Sequence, residues 1–184
     1  MIRSPLMTVM VDAVLKAAKG LRRDFGEIEN LQVSRKGPGD FVSVADHKSE
    51  KILHETLLKA RPDFGFVMEE SGIVEGKDSS HRWHIDPLDG TVNYFYGLPG
   101  WNVSIAARDE RGSVVGVVTA PTINSTWWAT RGGGAFYNGH PISCNEPIAL
   151  DRALIATGFQ YDLAHRISQL NDLTKLVPVA RDVR

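Results

Sequence analysis

The chain has 184 residues, with 21 Lys plus Arg against 22 Asp plus Glu and a formal net charge of −1. Bulk charge therefore does not make it a binder of nucleic acid or of anionic membranes, although local basic patches are still allowed. Hydrophobic residues make up 42%, and no apolar run approaches the roughly 20 residues that span a bilayer, so the composition is that of a soluble globular protein.

The N-terminal MIRSPLMTVMVDAVLKAAKG interleaves polar and charged residues with its apolar positions. It lacks the uninterrupted apolar core and cleavage site of a signal peptide, and the expected compartment is the cytoplasm. Met7, Val11, Val14, Leu15, Ala18, Leu21 and Phe25 recur at three-to-four spacing, which predicts a helix from residue 5 to about 25 with Ser4 and Pro5 at its start. A polar loop, RKGPGDF, follows. A second helix is predicted to begin between Ser43 and Asp46 and to run to Ala60, with Ile52, Leu53, Thr56 and Leu57 as its apolar stripe and RPDFG as its end.

From Phe64 the period shortens to that of strands. FGFVM and RWHI are predicted strands that each end in acidic residues. WNVSIAARDERGSVVGVVTA reads as a hairpin around Asp109 to Gly112, and TWWATRGGGAFYNGHPI as another strand pair turning at Asn138-Gly139. After Pro147 come one strand, ALIATGF, and one helix, DLAHRISQLNDLTKLV. The expected organisation is α+β: residues 1–147 as two helices plus an antiparallel sheet, and residues 148–184 as the start of a second α/β domain.

The chemistry concentrates in WHIDPLDGTVNYFYGLP. Asp86 stands at a strand end, Pro87 fixes a turn, and Asp89 returns a second carboxylate to the same side, where Leu88 offers its backbone carbonyl. An all-oxygen cradle of this kind suits Mg²⁺ or Mn²⁺ better than zinc. Gly90 permits close backbone approach, and Thr91 begins a short helix over TVNYFY whose N–H groups face an anion. Cation cradle beside anion site describes a phosphate ester held against metal ions. The plainer reading of Asp86 and Asp89 is a turn that caps that helix. FGFVMEES brings Glu69 and Glu70 to a second strand end, which an antiparallel sheet can place at the same edge. Asp46 in SVADHKSE is a further acidic residue whose plain role is helix capping.

DFVSVADHKSE, EES, WHIDPLDGTVNYFYGLP and GHPI, in this order, resemble the inositol monophosphatase family over nearly the whole chain. The nearer likeness is to its bacterial members, and DPLDGTVN is the most specific part. The resemblance implies a layered αβαβα sandwich, its second layer incomplete here. It implies a Mg²⁺-dependent, Li⁺-sensitive phosphomonoesterase acting on inositol monophosphate or related sugar phosphates, and a homodimer. By motif it assigns Glu69, Asp86, Asp89 and the Leu88 carbonyl to metal, and the Gly90 and Thr91 backbone, beside Asp89, to substrate phosphate. It assigns Asp46 and Thr91 to the attacking water. Met68 stands where the family usually has glycine, and Gln160 where bacterial relatives usually have proline. Members of the family continue well past the position of Arg184 into a segment with a further aspartate ligand in a Trp-Asp pair. The resemblance therefore implies a chain with the first-metal cradle but without one ligand and most of the specificity pocket.

Other candidates reduce to structure. Cys144 has no partner for an intrachain disulfide and no activating neighbour in sequence. His81 and His84, three apart on a strand, face opposite sides and make no zinc pair. RGGGAF lacks the helix and lysine of a phosphate-binding loop. Lys36 in RKGPGD could swing toward the acidic cradle, but a loop lysine is expected to be solvated. Trp127 and Trp128 put one ring in the core and one at a surface or dimer contact. Two alternatives to the leading function stand beside it. One is a phosphatase for another ester, such as histidinol phosphate, fructose bisphosphate or a 3′-phosphonucleotide. The other is a transcription factor binding RNA polymerase or RNA, which a basic stripe of Arg22, Arg23, Arg35 and Lys36 would favour.

Overall fold

The computed structural model describes residues 4–31, 38–160 and 162–184, with backbone alone for 28–31 and 38–43. These residues form two compact units, 1–143 and 144–184. The first opens with helix α1 (Pro5–Leu31), whose Met7 N–H donates to the Ser4 hydroxyl at 3.2 Å, as a side-chain cap does. The helix outruns its expected end because the glutamate-containing GEIENL is a fair helix former. Its buried stripe is Met7, Met10, Val11, Val14, Ala17, Ala18 and Leu21, while Leu15, expected in that stripe, is 50% exposed.

Helix α2 (Pro38–Ala60) starts earlier than Ser43. Proline is well suited to the first helical position, where no N–H is needed, so Gly-Pro starts the helix instead of lengthening the loop. Arg35 and Lys36 lie outside the described residues. The buried stripe of α2 is Ala45, Asp46, Ser49, Glu50, Leu53 and Leu57, so one helix face is polar toward its start and apolar toward its end. Ile52 and Thr56 flank that face, half-buried.

Eight strands follow: β1 (Phe64–Met68), β2 (Gly72–Val74), β3 (Asp78–Asp89), then a short helix α3 (Thr91–Phe95), β4 (Asn102–Asp109), β5 (Gly112–Ala120), β6 (Ser125–Thr130), β7 (Gly134–Tyr137) and β8 (His140–Ile142). They make one sheet in the order β2-β1-β3-β4-β5-β6-β7-β8. The β4–β5 hairpin is the expected one. TWWATRGGGAFYNGHPI, read as a strand pair, is three strands. Gly132 and Gly134 at φ of 70° and 84° turn the chain once, and Asn138-Gly139 at 47° and 90° turn it again.

Alternation along the strands sends Trp83, Ile85, Val103, Ile105, Val115, Val117, Trp128 and Phe136 into the core, on which α1 and α2 pack. The other face carries Val67, His84, Asp86, Ser104, Ala106 and Trp127, all half-buried. The two tryptophans split as expected, Trp128 inward and Trp127 against Tyr137 at 5.2 Å between ring centroids. No helix among the described residues is long and apolar enough to cross a membrane.

In the second unit β9 (Leu154–Ile155), α4 (Leu163–Leu176) and β10 (Asp182–Val183) form a parallel strand-helix-strand element. The Asp162 side chain caps α4 by accepting from the His165 N–H at 2.9 Å. No described residue of this unit is buried, so it has little apolar packing to resist local opening. Limited proteolysis should therefore cut within residues 144–163 first and leave a resistant N-terminal fragment. Equal cleavage rates in both units, followed by mass spectrometry, would contradict this.

Candidate active site

Two strand ends and one helix gather the acidic residues. β1 and β3 run parallel, with Phe66 opposite Trp83 and Met68 opposite Ile85, so both finish at the same edge of the sheet. This corrects the antiparallel expectation: adjacent antiparallel strands end at opposite edges, and only parallel neighbours bring Glu69 beside Asp86.

On a regular strand, residues three apart face opposite sides. In β3, Asp86 pairs with Ser104 and Asp89 with Asn102, and the register shifts between them. One extra residue is thus accommodated in β3, a bulge that returns Asp89 to the face of Asp86. The Asn102 amide donates to Asp89 Oδ2 at 2.7 Å. The Leu88 side chain is fully buried in the core, while its carbonyl accepts from Thr91 Oγ1 at 2.9 Å. The Pro87 carbonyl accepts from Ser49 Oγ of α2 at 2.8 Å. Thr91 is therefore held by a backbone carbonyl.

Asp46 is not a cap, because α2 begins at Pro38 and Asp46 lies more than two turns inside it, buried. Glu69, Glu70 and Ser71 form the turn between β1 and β2. Met68 before them is a core residue, and Gly72, at φ 76°, supplies the turn's positive φ. Glu50 of α2 reaches this turn: its Oε2 accepts from the Glu70 N–H at 2.9 Å, and its Oε1 from the Ser71 hydroxyl. His47 Nε2 stands 3.7 Å from Glu70 Oε2.

The electrostatics follow from this crowding. Burial, then the charges of Glu70, Glu69, Asp86 and Glu50, pushes the Asp46 carboxyl up to about 7. Burial, then the charge and hydrogen bond of Glu69 and the charge of Asp89, pushes Asp86 up to about 7 as well. Asp46 Oδ1 and Asp86 Oδ1 are both buried with no hydrogen-bond partner. Buried oxygens of rising basicity, unmatched by any donor, fit a hard cation. Among the described residues no three His, Cys, Asp or Glu side chains stand close enough together to form a metal cluster.

A depression of about 350 Å³ on the sheet face is lined by Val67, Glu69, His84, Asp86 and Ser104. His84 is held below its ordinary pKa by burial and by Arg108 and Arg82. His81 is tied to Asp78 at 2.9 Å and stacked on Phe64, so the two histidines share no site. A larger groove of about 610 Å³ lies elsewhere, between α1 and the β5–β6 connection, and is lined by Lys19, Arg22, Arg23 and Asn124.

The family model described as the inositol monophosphatase family matches residues 2–184. The chain belongs to that family. It is 50% identical over 161 residues to the inositol-1-monophosphatase of Mesorhizobium japonicum, covering 88% of this chain and 60% of that protein. Against the Nus factor SuhB of Escherichia coli it is 35% identical over 181 residues, covering 98% of this chain and 68% of that one. A crystal structure of the extragenic suppressor protein suhB from Bartonella henselae superposes with a TM-score of 0.88 at 44% identity, over 98% of this chain and 70% of that one. The chain thus spans about 60% of the length of the inositol-1-monophosphatases it matches.

Ser49 and Glu50, which reach the two strand ends, were not singled out from the sequence, and His84, read there as structural, lines the depression beside Asp86. Asp46, Ser49, Glu50, Leu53 and Leu57 follow helical spacing, so a polar run continuing an apolar stripe was the available signal for the first two.

Two outcomes are expected. Gly90 has φ 88°, and a Cβ there would lie 2.7 Å from the Gly100 carbonyl oxygen, so Gly90→Ala should cost about 2–4 kcal/mol in urea unfolding. Asp46 and Asp86 have folded pKa values raised to about 7, so the stability they confer is full below the unfolded carboxylate value and lost as pH rises through about 7. The cation-free chain should melt lower at pH 8 than at pH 5. Asp86→Asn should raise the pH 8 melting temperature by about 2–8 °C, taking screened effects of roughly 1–2 kcal/mol. A lowered melting temperature would count against the charge-crowding account.

Proposed function

We propose that this chain carries the cation-binding part of a Mg²⁺-dependent, Li⁺-sensitive phosphomonoesterase site acting on inositol monophosphate or a related sugar phosphate. The observation that carries the reading is two buried, partnerless carboxylate oxygens, Asp86 Oδ1 at the end of β3 for the cation and Asp46 Oδ1 on α2 for the attacking water. Glu69, Asp86, Asp89 and the Leu88 carbonyl would hold the cation, an all-oxygen set suited to Mg²⁺. When bound, such a cation lowers the pKa of a water and absorbs charge on the phosphoryl oxygens.

The remaining residues have separate tasks. Asp46, raised to about 7 chiefly by burial, accepts a proton from the attacking water near neutral pH. The Thr91 hydroxyl donates its hydrogen bond to the Leu88 carbonyl, which leaves its lone pairs to accept from that water. The first N–H groups of α3 have no partner within the helix and would receive a phosphate oxygen, while Gly90, at φ 88°, gives the left-handed backbone from which the helix starts. The same chemistry would serve histidinol phosphate, fructose bisphosphate or a 3′-phosphonucleotide, since it handles only the phosphoryl end. A cytoplasmic homodimer belongs to the same reading. A second reading, binding of RNA polymerase or RNA, is favoured by Lys19, Arg22 and Arg23 around the 610 Å³ groove, although Asp24 pairs with Arg23 at 2.7 Å.

The test begins with Mn²⁺ and Mg²⁺ titration of the 184-residue chain. Asp86→Asn and Asp89→Asn should each weaken uptake at least about 10-fold, and a wild-type chain that takes up neither ion refutes the reading. Phosphate release from inositol 1-phosphate is then compared between this chain and a fusion carrying the C-terminal segment of the Mesorhizobium relative. The fusion should be Mg²⁺-dependent and at least about 100-fold faster, because a metal ligand matters more than the outer partners worth 10–100-fold.

A further inference from the structure

We infer that Glu50 is a positioning residue: it fixes the Glu69–Ser71 turn so that Glu69 is presented to Asp86, and it thereby sets the cation affinity of the site. The inference rests on the functional reading above and adds to it a residue outside the cation-holding set. Glu50 is 3% exposed, an unusual place for a carboxylate unless every oxygen is matched. Both oxygens are matched, and neither of these bonds is to a cation. Oε2 accepts from the Glu70 N–H at 2.9 Å and Oε1 from the Ser71 hydroxyl. These are charge-assisted bonds to two consecutive residues of one turn, roughly twice as strong as neutral ones.

The turn needs such a clamp. Glu69 is exposed and meets Asp86 by both charge and a hydrogen bond, so once both carboxylates are ionised nothing but the turn itself keeps it there. The adjacent residue of α2, Ser49, fastens the other strand end by donating to the Pro87 carbonyl at 2.8 Å. Neighbouring residues on one helix therefore hold both carboxylate-bearing strand ends, and the helix sets the separation between them. Removing Glu50 releases one end only, which predicts loss of cation affinity without disruption of the Asp86–Asp89 bulge.

The experiment is Mn²⁺ binding by electron paramagnetic resonance on the full 184-residue chain, with melting temperatures measured in parallel. Glu50→Ala should weaken Mn²⁺ binding by about 10-fold or more, the scale of lost outer partners of metal ligands. Glu50→Gln keeps an acceptor for the Glu70 N–H and a donor for the Ser71 oxygen, and should stay within about threefold of wild type. Leu57→Ala, a core truncation later on the same helix, should lower the melting temperature while leaving Mn²⁺ affinity unchanged. Wild-type affinity in folded Glu50→Ala, or an equal loss in Leu57→Ala, overturns the inference. Should Glu50→Ala not fold, Ser71→Ala decides: it removes one of the two bonds from an exposed side chain and should weaken binding by about threefold, and no change overturns the inference. A wild-type chain that binds no Mn²⁺ overturns the functional reading first, and this inference with it.

Discussion

Like charges held together against their repulsion are the constraint around which the N-terminal unit is built. Asp46 and Asp86 are each raised to about 7 by burial and by neighbouring carboxylates, so the folded chain keeps in one place groups that an unconstrained chain would separate. What keeps them there is backbone: the parallel β1–β3 pair, the register shift in β3 and the side-chain bonds from α2 to both strand ends. Packing anchors that backbone in turn. Tyr94 of α3 donates to the Leu21 carbonyl of α1 at 2.8 Å, and Phe25, Tyr94 and Trp101 meet at ring separations of 4.9 to 5.3 Å. The region just after the acidic bulge is thereby tied to the first helix.

Helix α2 shows how one element serves both ends of that balance. Its buried face runs from Asp46, Ser49 and Glu50 to Leu53 and Leu57. The apolar end joins the core and supplies binding to the sheet by excluding water. The polar end makes no such contribution and is held in place by the rest of the helix. A carboxylate such as Glu50 is tolerable at that position because the turn it meets offers an N–H and a hydroxyl, donors that would themselves be costly to leave unmatched.

Much of this was legible in the sequence, for definite reasons. The helices, the β4–β5 hairpin and the split of Trp127 from Trp128 follow from hydrophobic period and turn chemistry, which are local. The start of α2 was misread because RKGPGDF has the composition of a loop, yet Pro38 can open a helix. The third strand in TWWATRGGGAFYNGHPI was merged with its neighbour because one of two possible turns was recognised. The acidic residues could be singled out in the sequence, while the geometry that brings them together could not. Pairing direction between β1 and β3 depends on where β2 goes, and a register shift depends on the partner strand, so neither is written in a single segment. Glu50 and Ser49 escaped notice because their partners lie 20 and 38 residues away.

The extra residue between Asp86 and Asp89 makes the site a matter of parity. Side chains on a strand alternate in and out, so whether two residues share a face depends on whether the count between them is odd or even once bulges are included. Here the spelling of the motif has an odd spacing of three, and the bulge supplies the correction that makes it behave as an even one. Substitutions at Pro87 or Leu88 change packing but preserve the count. Loss or gain of a single residue there would keep every aspartate in the sequence and still turn one of them toward the hydrophobic side of the sheet. In this stretch the number of residues is as much a part of the chemistry as their identity.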